Sequence, residues 1–101
     1  GCSAELDYAK VPLIKNLGHY LSKMIYPDNT MRNWQSYDKK VNGIGAESLL
    51  TLCDPQTSGG LLVTIPKAKS TDFEKLCNAK GLNIGPIGRI VKKNDHVVTI
   101  F

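Results

Sequence analysis

The sequence predicts an α+β fold, a mainly antiparallel sheet with helices packed on one face. Two observations carry this. Apolar residues recur at helical spacing in several separate stretches. Short apolar, β-branched runs bounded by turn residues stand among and after them, without regular strand–helix alternation. With 101 residues and 42% apolar content, the chain suits one domain with a modest core. It begins Gly-Cys-Ser and not Met, so it reads as a fragment.

The elements follow in order. Residues 4–8 open as a short strand before the turn at Val11-Pro12. Leu13, Ile14, Leu17, Leu21, Met24 and Ile25 then mark a helix from Pro12, whose missing N–H is harmless in a first turn. Gly18 weakens that helix by roughly 1 kcal/mol relative to alanine and is where it would break in two. Tyr26-Pro27-Asp28-Asn29 is a turn. Met31, Trp34 and Tyr37 form a core-facing stripe on a helix over 30–40. Residues 46–53 give a short helix stopped at Asp54-Pro55. Leu61-Leu62-Val63-Thr64-Ile65, between Gly60 and Pro66, reads as a buried strand. Thr71 and Glu74 make a capping box for a helix buried through Phe73, Leu76 and Cys77 and ended by Gly81. Residues 84–91 and 96–101 are two strands joined as a hairpin through Lys92-Lys93-Asn94-Asp95.

Composition narrows the function classes. No apolar run is long enough to span a bilayer, and no signal-peptide core is present, so no membrane partner is expected. The net charge of +4 is scattered over Lys39-Lys40, Lys67, Lys69 and Lys92-Lys93, each beside turn residues, which describes a solvated face. No aromatics interleave with these lysines, so a nucleic-acid partner is not expected. The odd set Cys2, Cys53 and Cys77 has neither disulfide-framework nor metal-site spacing. Cys53 and Cys77 sit among apolar neighbours as core residues, Cys2 is the exposed thiol, and a reducing cytoplasm suits this usage. His19 and His96 lack ligand-spaced partners, and no nucleophile triad is evident.

The informative stretch is Asp54-Pro55-Gln56-Thr57-Ser58-Gly59-Gly60. Thr57 and Ser58 supply hydroxyls beside backbone amides. Gly59 and Gly60 allow positive φ and close approach to a ligand. Two readings stand side by side: an anion-binding nest of converging amides, and an ordinary helix-to-strand turn in which Asp54 accepts local bonds. No Gly-Lys-Ser/Thr ending follows, so this is not a Walker loop.

This stretch, continued by Leu61-Leu62, resembles the carboxyl-terminal signature of selenophosphate synthetases, in the aminoimidazole ribonucleotide synthetase-like superfamily. Pro27-Asp28-Asn29-Thr30-Met31-Arg32-Asn33 is similar to the family's Pro-Gly-Gly-Thr-x-x-Asn segment, with Asp28-Asn29 in place of Gly-Gly. Gly1-Cys2-Ser3-Ala4-Glu5-Leu6 and Ile87-Gly88-Arg89-Ile90 resemble its flanking strands. The resemblance implies a single carboxyl-terminal domain over residues 1–101, truncated at its start, that closes over the cleft of an ATP- and Mg2+-binding amino-terminal domain in a homodimer. The implied reaction converts selenide, ATP and water to selenophosphate, AMP and phosphate in the cytoplasm. It also implies that Thr57, Ser58, Gly59, Gly60, Thr30 and Asn33 face substrate or phosphate, with Asp54 and Gln56 structuring the loop. The family's nucleophile, partner lysine and magnesium carboxylates match no residue here, so no catalytic or metal residue is assigned, no cofactor is expected on the chain alone, and the isolated chain should be inactive. The alternatives are a small-ligand or nucleotide-binding regulatory module of similar build, the equivalent domain of another ATP-dependent relative, and a basic nucleic-acid module. A salt-dependent mobility shift would favour the last.

Overall fold

A computed structural model describes residues 1–101. Strand β1 (Cys2–Leu6) is the organising element, because strands from the far end of the chain pair with both of its edges. The other strands are β2 (Val41–Asn42), β3 (Gly88–Lys92) and β4 (Val98–Ile100), and the order across the sheet is β2-β4-β1-β3. β1 runs antiparallel to β3, with Ser3 opposite Val91 and Glu5 opposite Arg89. It runs parallel to β4, which is itself parallel to β2.

The fold class is therefore α+β, but the sheet is mixed and not mainly antiparallel. The expected hairpin between residues 84–91 and 96–101 does not form, since β1 lies between the two strands. The crossover is held by Ser3, a buried residue whose hydroxyl accepts from the Asn94 N–H at 3.0 Å and donates to the His96 carbonyl at 2.6 Å. The Ala4 N–H then bonds the Val97 carbonyl at 2.9 Å. Turn chemistry at residues 92–95 is a local cue, and pairing with a strand some ninety positions away overrides it. β3 starts later than expected, after Pro86, which has no amide to give a ladder. At Gly88 a Cβ would strike the Glu5 carbonyl and Leu6 Cα, so only glycine lets β1 approach there.

The first helix is much shorter than its apolar spacing suggests. α1 covers only Leu17–Leu21. Asn16, at φ 69°, and Met24, at φ 58°, are left-handed and bracket it, so the helix cannot run from Pro12 to Ile25. α2 (Asn29–Tyr37) continues into a 3-10 turn at Asp38–Lys40, close to expectation. Its buried face differs: Thr30 is enclosed, while Met31 and Tyr37 of the expected stripe are exposed. α3 (Ala46–Leu52) forms as expected, with the Ser48 hydroxyl accepting from the Gly45 N–H at 2.8 Å. α4 (Ser70–Ala79) follows a 3-10 turn at Lys67–Lys69. Thr71 therefore lies inside the helix and does not cap it. Gly81, at φ +75°, ends α4 as predicted. Its N–H bonds Asn78 O at 3.0 Å and the Leu82 N–H bonds Cys77 O at 2.9 Å, the paired closure of a left-handed helix end.

The core is small. Only Ser3, Thr30, Ser48, Cys77 and Ile100 are buried. The accessible surface is 8132 Å², against about 5,700 Å² for a compact monomer of this mass. The Cα radius of gyration is 15.0 Å, against about 13 Å for a compact chain of this length. Part of the difference lies where a buried strand was expected, and the rest is spread over exposed apolar residues such as Ile14, Met24, Leu76 and Phe101. Residues 61–65 form no strand, and Leu61 and Leu62 are 93% and 75% exposed. Branched apolar residues favour an extended backbone, but a strand also needs an edge to pair with, and no strand of the sheet takes this segment.

Candidate functional site

The candidate site begins where α2 meets the end of α3. Cys53 caps α3, and helix-end carbonyls have no partner within the helix. Asn33 supplies one: its Nδ2 donates to the Cys53 carbonyl at 2.9 Å in a part-buried contact. Such a bond contributes about 1 kcal/mol net, and more is lost if the carbonyl is left buried and unpaired. The Cys53 thiol is half-buried, and burial pushes its pKa up, so it is a packing thiol and not an activated nucleophile.

Immediately beyond, Gln56 Nε2 donates to Asp54 Oδ2 at 3.1 Å. A Cβ added to Gly59 would lie 2.6 Å from Gln56 Oε1, so the glutamine folds back over the glycine. Asp54 and Gln56 thus shape the loop from its own side chains. They also border a cavity of about 150 Å³ lined by apolar residues including Leu13, Leu17, Ile25 and Leu50.

Thr57, Ser58, Gly59 and Gly60 are all exposed. From Asp54 to Ile65 the backbone makes no hydrogen bond to other backbone, and no amide there bonds a side chain. The hydroxyls of Thr57 and Ser58 are equally uncommitted. The glycines do not use the left-handed freedom expected of them, because the positive-φ glycines are Gly43 and Gly81. The loop therefore presents free amides and hydroxyls and holds no αL nest.

Thr30 and Asn33 sit one turn apart on α2, but neither is simply open to the loop. Thr30 is completely buried and its Oγ1 has no hydrogen-bond partner. Asn33 reaches the loop through Cys53. The sequence flagged both residues, yet gave no sign of the Cys53 carbonyl as the joint between them and the loop. A second unflagged tie is Thr51 Oγ1, 2.9 Å from Tyr8 Oη, which links α3 to the segment after β1.

Two ion pairs form elsewhere. Arg89 pairs with Glu5 at 2.6 Å and Lys10 with Asp7 at 2.9 Å, both at the exposed end of β1. His19 stands edge-on to Tyr20, and His96 is half-buried with Nδ1 unpartnered. No three His, Cys, Asp or Glu side chains converge, and the Asp54 carboxylate is engaged by Gln56. These residues do not assemble the oxygen cage that magnesium requires. No helix is long and apolar enough to cross a membrane.

The chain belongs to the family described as AIR synthase related protein, C-terminal domain, which it matches over residues 1–101. Among individual relatives, a selenide, water dikinase of Pseudomonas putida is 38% identical over 100 residues, covering 99% of this chain and 29% of that protein. The selenide, water dikinase of Bordetella bronchiseptica is also 38% identical with the same coverage. That of Sulfurimonas denitrificans is 37% identical over 100 residues. The chain thus spans under a third of the length of the curated relatives it matches.

Proposed function

We propose that the chain is the carboxyl-terminal domain of a selenide, water dikinase, closing over a cleft in which ATP, selenide and water become selenophosphate, AMP and phosphate. The observation that carries this is the loop of residues 54–60. It is braced at one end by Asn33, with its amides and the Thr57 and Ser58 hydroxyls uncommitted, in a chain whose matched relatives carry that name along 99% of its length.

In this reading residues 57–60 offer hydrogen-bond donors to a phosphoryl group as its charge redistributes, which is how phosphoryl transfer is chiefly assisted. Gly59 and Gly60 keep side chains out of the way so that the backbone can come close. Asp54 and Gln56 hold the loop's shape without touching the reacting atoms. Thr30 supports α2 from within. The nucleophile, its lysine partner and the magnesium carboxylates come from the amino-terminal domain of the same polypeptide, which is this domain's main partner in a cytoplasmic homodimer.

The test is selenide-dependent AMP formation from ATP. The 101-residue chain alone is expected to give none, and the longer protein carrying it to be active. AMP formation by the chain alone would overturn this division of labour.

A further inference from the structure

We infer that Asn33 is a positioning residue for the reaction: it aims residues 54–60 by clamping the Cys53 carbonyl and does not itself meet the ligand. This rests on the reading of that loop as phosphate-facing, and it revises the role that resemblance gives to Asn33.

The geometry carries the inference in three steps. First, the Asn33 amide is held in place by donating one Nδ2 N–H to the Cys53 carbonyl, a 2.9 Å, part-buried bond spanning 20 positions of sequence. Second, that bond falls one residue before Asp54. It is the last long-range hydrogen bond before a stretch whose backbone bonds nothing until the Pro66 carbonyl accepts from the Lys69 N–H at 2.8 Å. The direction in which the chain leaves α3 is therefore fixed at the Cys53 carbonyl, and a small rotation there is carried into every amide of residues 56–60. Third, Thr30, one turn earlier on α2, is fully buried. This face of α2 thus turns inward, towards the end of α3.

A donor that positions and a donor that binds substrate respond differently to removal. Losing a ligand contact made equally in ground and transition states raises KM. Losing loop alignment lowers kcat while leaving substrate capture largely intact.

The experiment uses Asn33→Asp, which keeps the shape but sets a carboxylate against a carbonyl, and Asn33→Gln, which keeps the donor on a longer stem. In the 101-residue chain, amide resonances of residues 56–60 are recorded together with those of Ala4 and Ile90 in the sheet. In the longer protein, kcat and KM for ATP are measured. Asn33→Asp is expected to move the loop resonances and leave Ala4 and Ile90 in place, with kcat lower by about five- to tenfold and KM within twofold, as befits one lost hydrogen bond. Asn33→Gln is expected to recover part of both. A rise in KM with unmoved loop resonances would overturn the inference by making Asn33 a ligand contact. Unchanged loop resonances and unchanged kcat in Asn33→Asp would overturn it as well. If replacing Thr57 and Ser58 leaves the longer protein fully active while Asn33→Asp still moves the loop, the clamp stands and the phosphate reading fails. Should Asn33→Asp also disturb Ala4 and Ile90, Asn33→Gln decides: a kept donor that fails to hold the loop resonances contradicts the clamp.

Discussion

The sheet around β1 and the segment from Asp54 to Ile65 are opposite solutions to the same problem, where backbone polar groups find partners. At Ser3 one hydroxyl serves two backbone groups of the crossover, and the flanking ladder closes with strands from the far end of the chain. From Asp54 to Ile65 no backbone group bonds another. The first region is self-sufficient. The second is anchored only at its borders, by Asn33 at the Cys53 carbonyl and by the turn at Lys67–Lys69. Its polar half, residues 54–60, keeps its backbone amides unbonded. Its apolar half, residues 61–65, is open to pairing.

The largest effect expected in the isolated chain comes from that apolar half. An exposed segment of branched apolar residues without a pairing partner is a template for strand pairing, and burying its surface contributes roughly 25 cal/mol per Å². The net charge of +4 opposes association only within about 8–10 Å at ordinary salt. Sedimentation of the 101-residue chain at rising concentration should show self-association, and Val63→Lys should weaken it by about tenfold or more. A strictly monomeric chain at hundreds of micromolar would mean that residues 61–65 pair within the chain.

Next in size is a paired serine replacement. Ser3→Ala leaves a part-buried N–H and C=O without their partner and should cost about 1–2 kcal/mol in urea unfolding. Ser58→Ala should stay within about 0.5 kcal/mol, as for an exposed residue without partners. Equal costs would erase the contrast between the two regions.

The helical punctuation was legible in the sequence, and for a physical reason. Gly81 ends α4 through its own neighbours, and α3 stops at Asp54-Pro55, so nearby residues suffice to place both. The signature loop was legible as a special segment, but not its brace, because Asn33 meets a backbone carbonyl and any residue has one. The sheet order was not legible at all. A turn at residues 92–95 looks the same whether its strands pair with each other or straddle a third. The long first helix failed because apolar spacing does not report that Asn16 and Met24 adopt left-handed backbone. Met31 and Tyr37 of the expected stripe misled, while Trp34 is half-buried, because the inward face of α2 is centred on Thr30 and Asn33, which are polar.

The smallest effect is on pH dependence. Burial raises the pKa of Cys53, so the folded state holds that proton more tightly than the unfolded chain does. Its contribution to stability is fully present below the unfolded thiol value, about 8.5, and is lost as pH rises through the higher folded value. Urea midpoints should therefore fall slightly more steeply above neutrality in the parent than in Cys53→Val. Thiol labelling should proceed in the order Cys2, Cys53, Cys77, following their exposure. Labelling of Cys53 ahead of Cys2 would contradict its assignment as a packing residue.

The central claim is that residues 57–60 are kept free for a phosphate and not for the fold. It is tested most directly by Gly59→Val in the longer protein, with AMP formation and the urea midpoint measured on the same variant. In this chain an added Cβ at Gly59 meets only the tip of the Gln56 side chain, which can swing aside. The predicted result is turnover reduced by about a hundredfold, as when reacting groups are held about an ångström out of place, with a midpoint shift corresponding to under about 1 kcal/mol. A variant that keeps its turnover while losing stability would contradict the account.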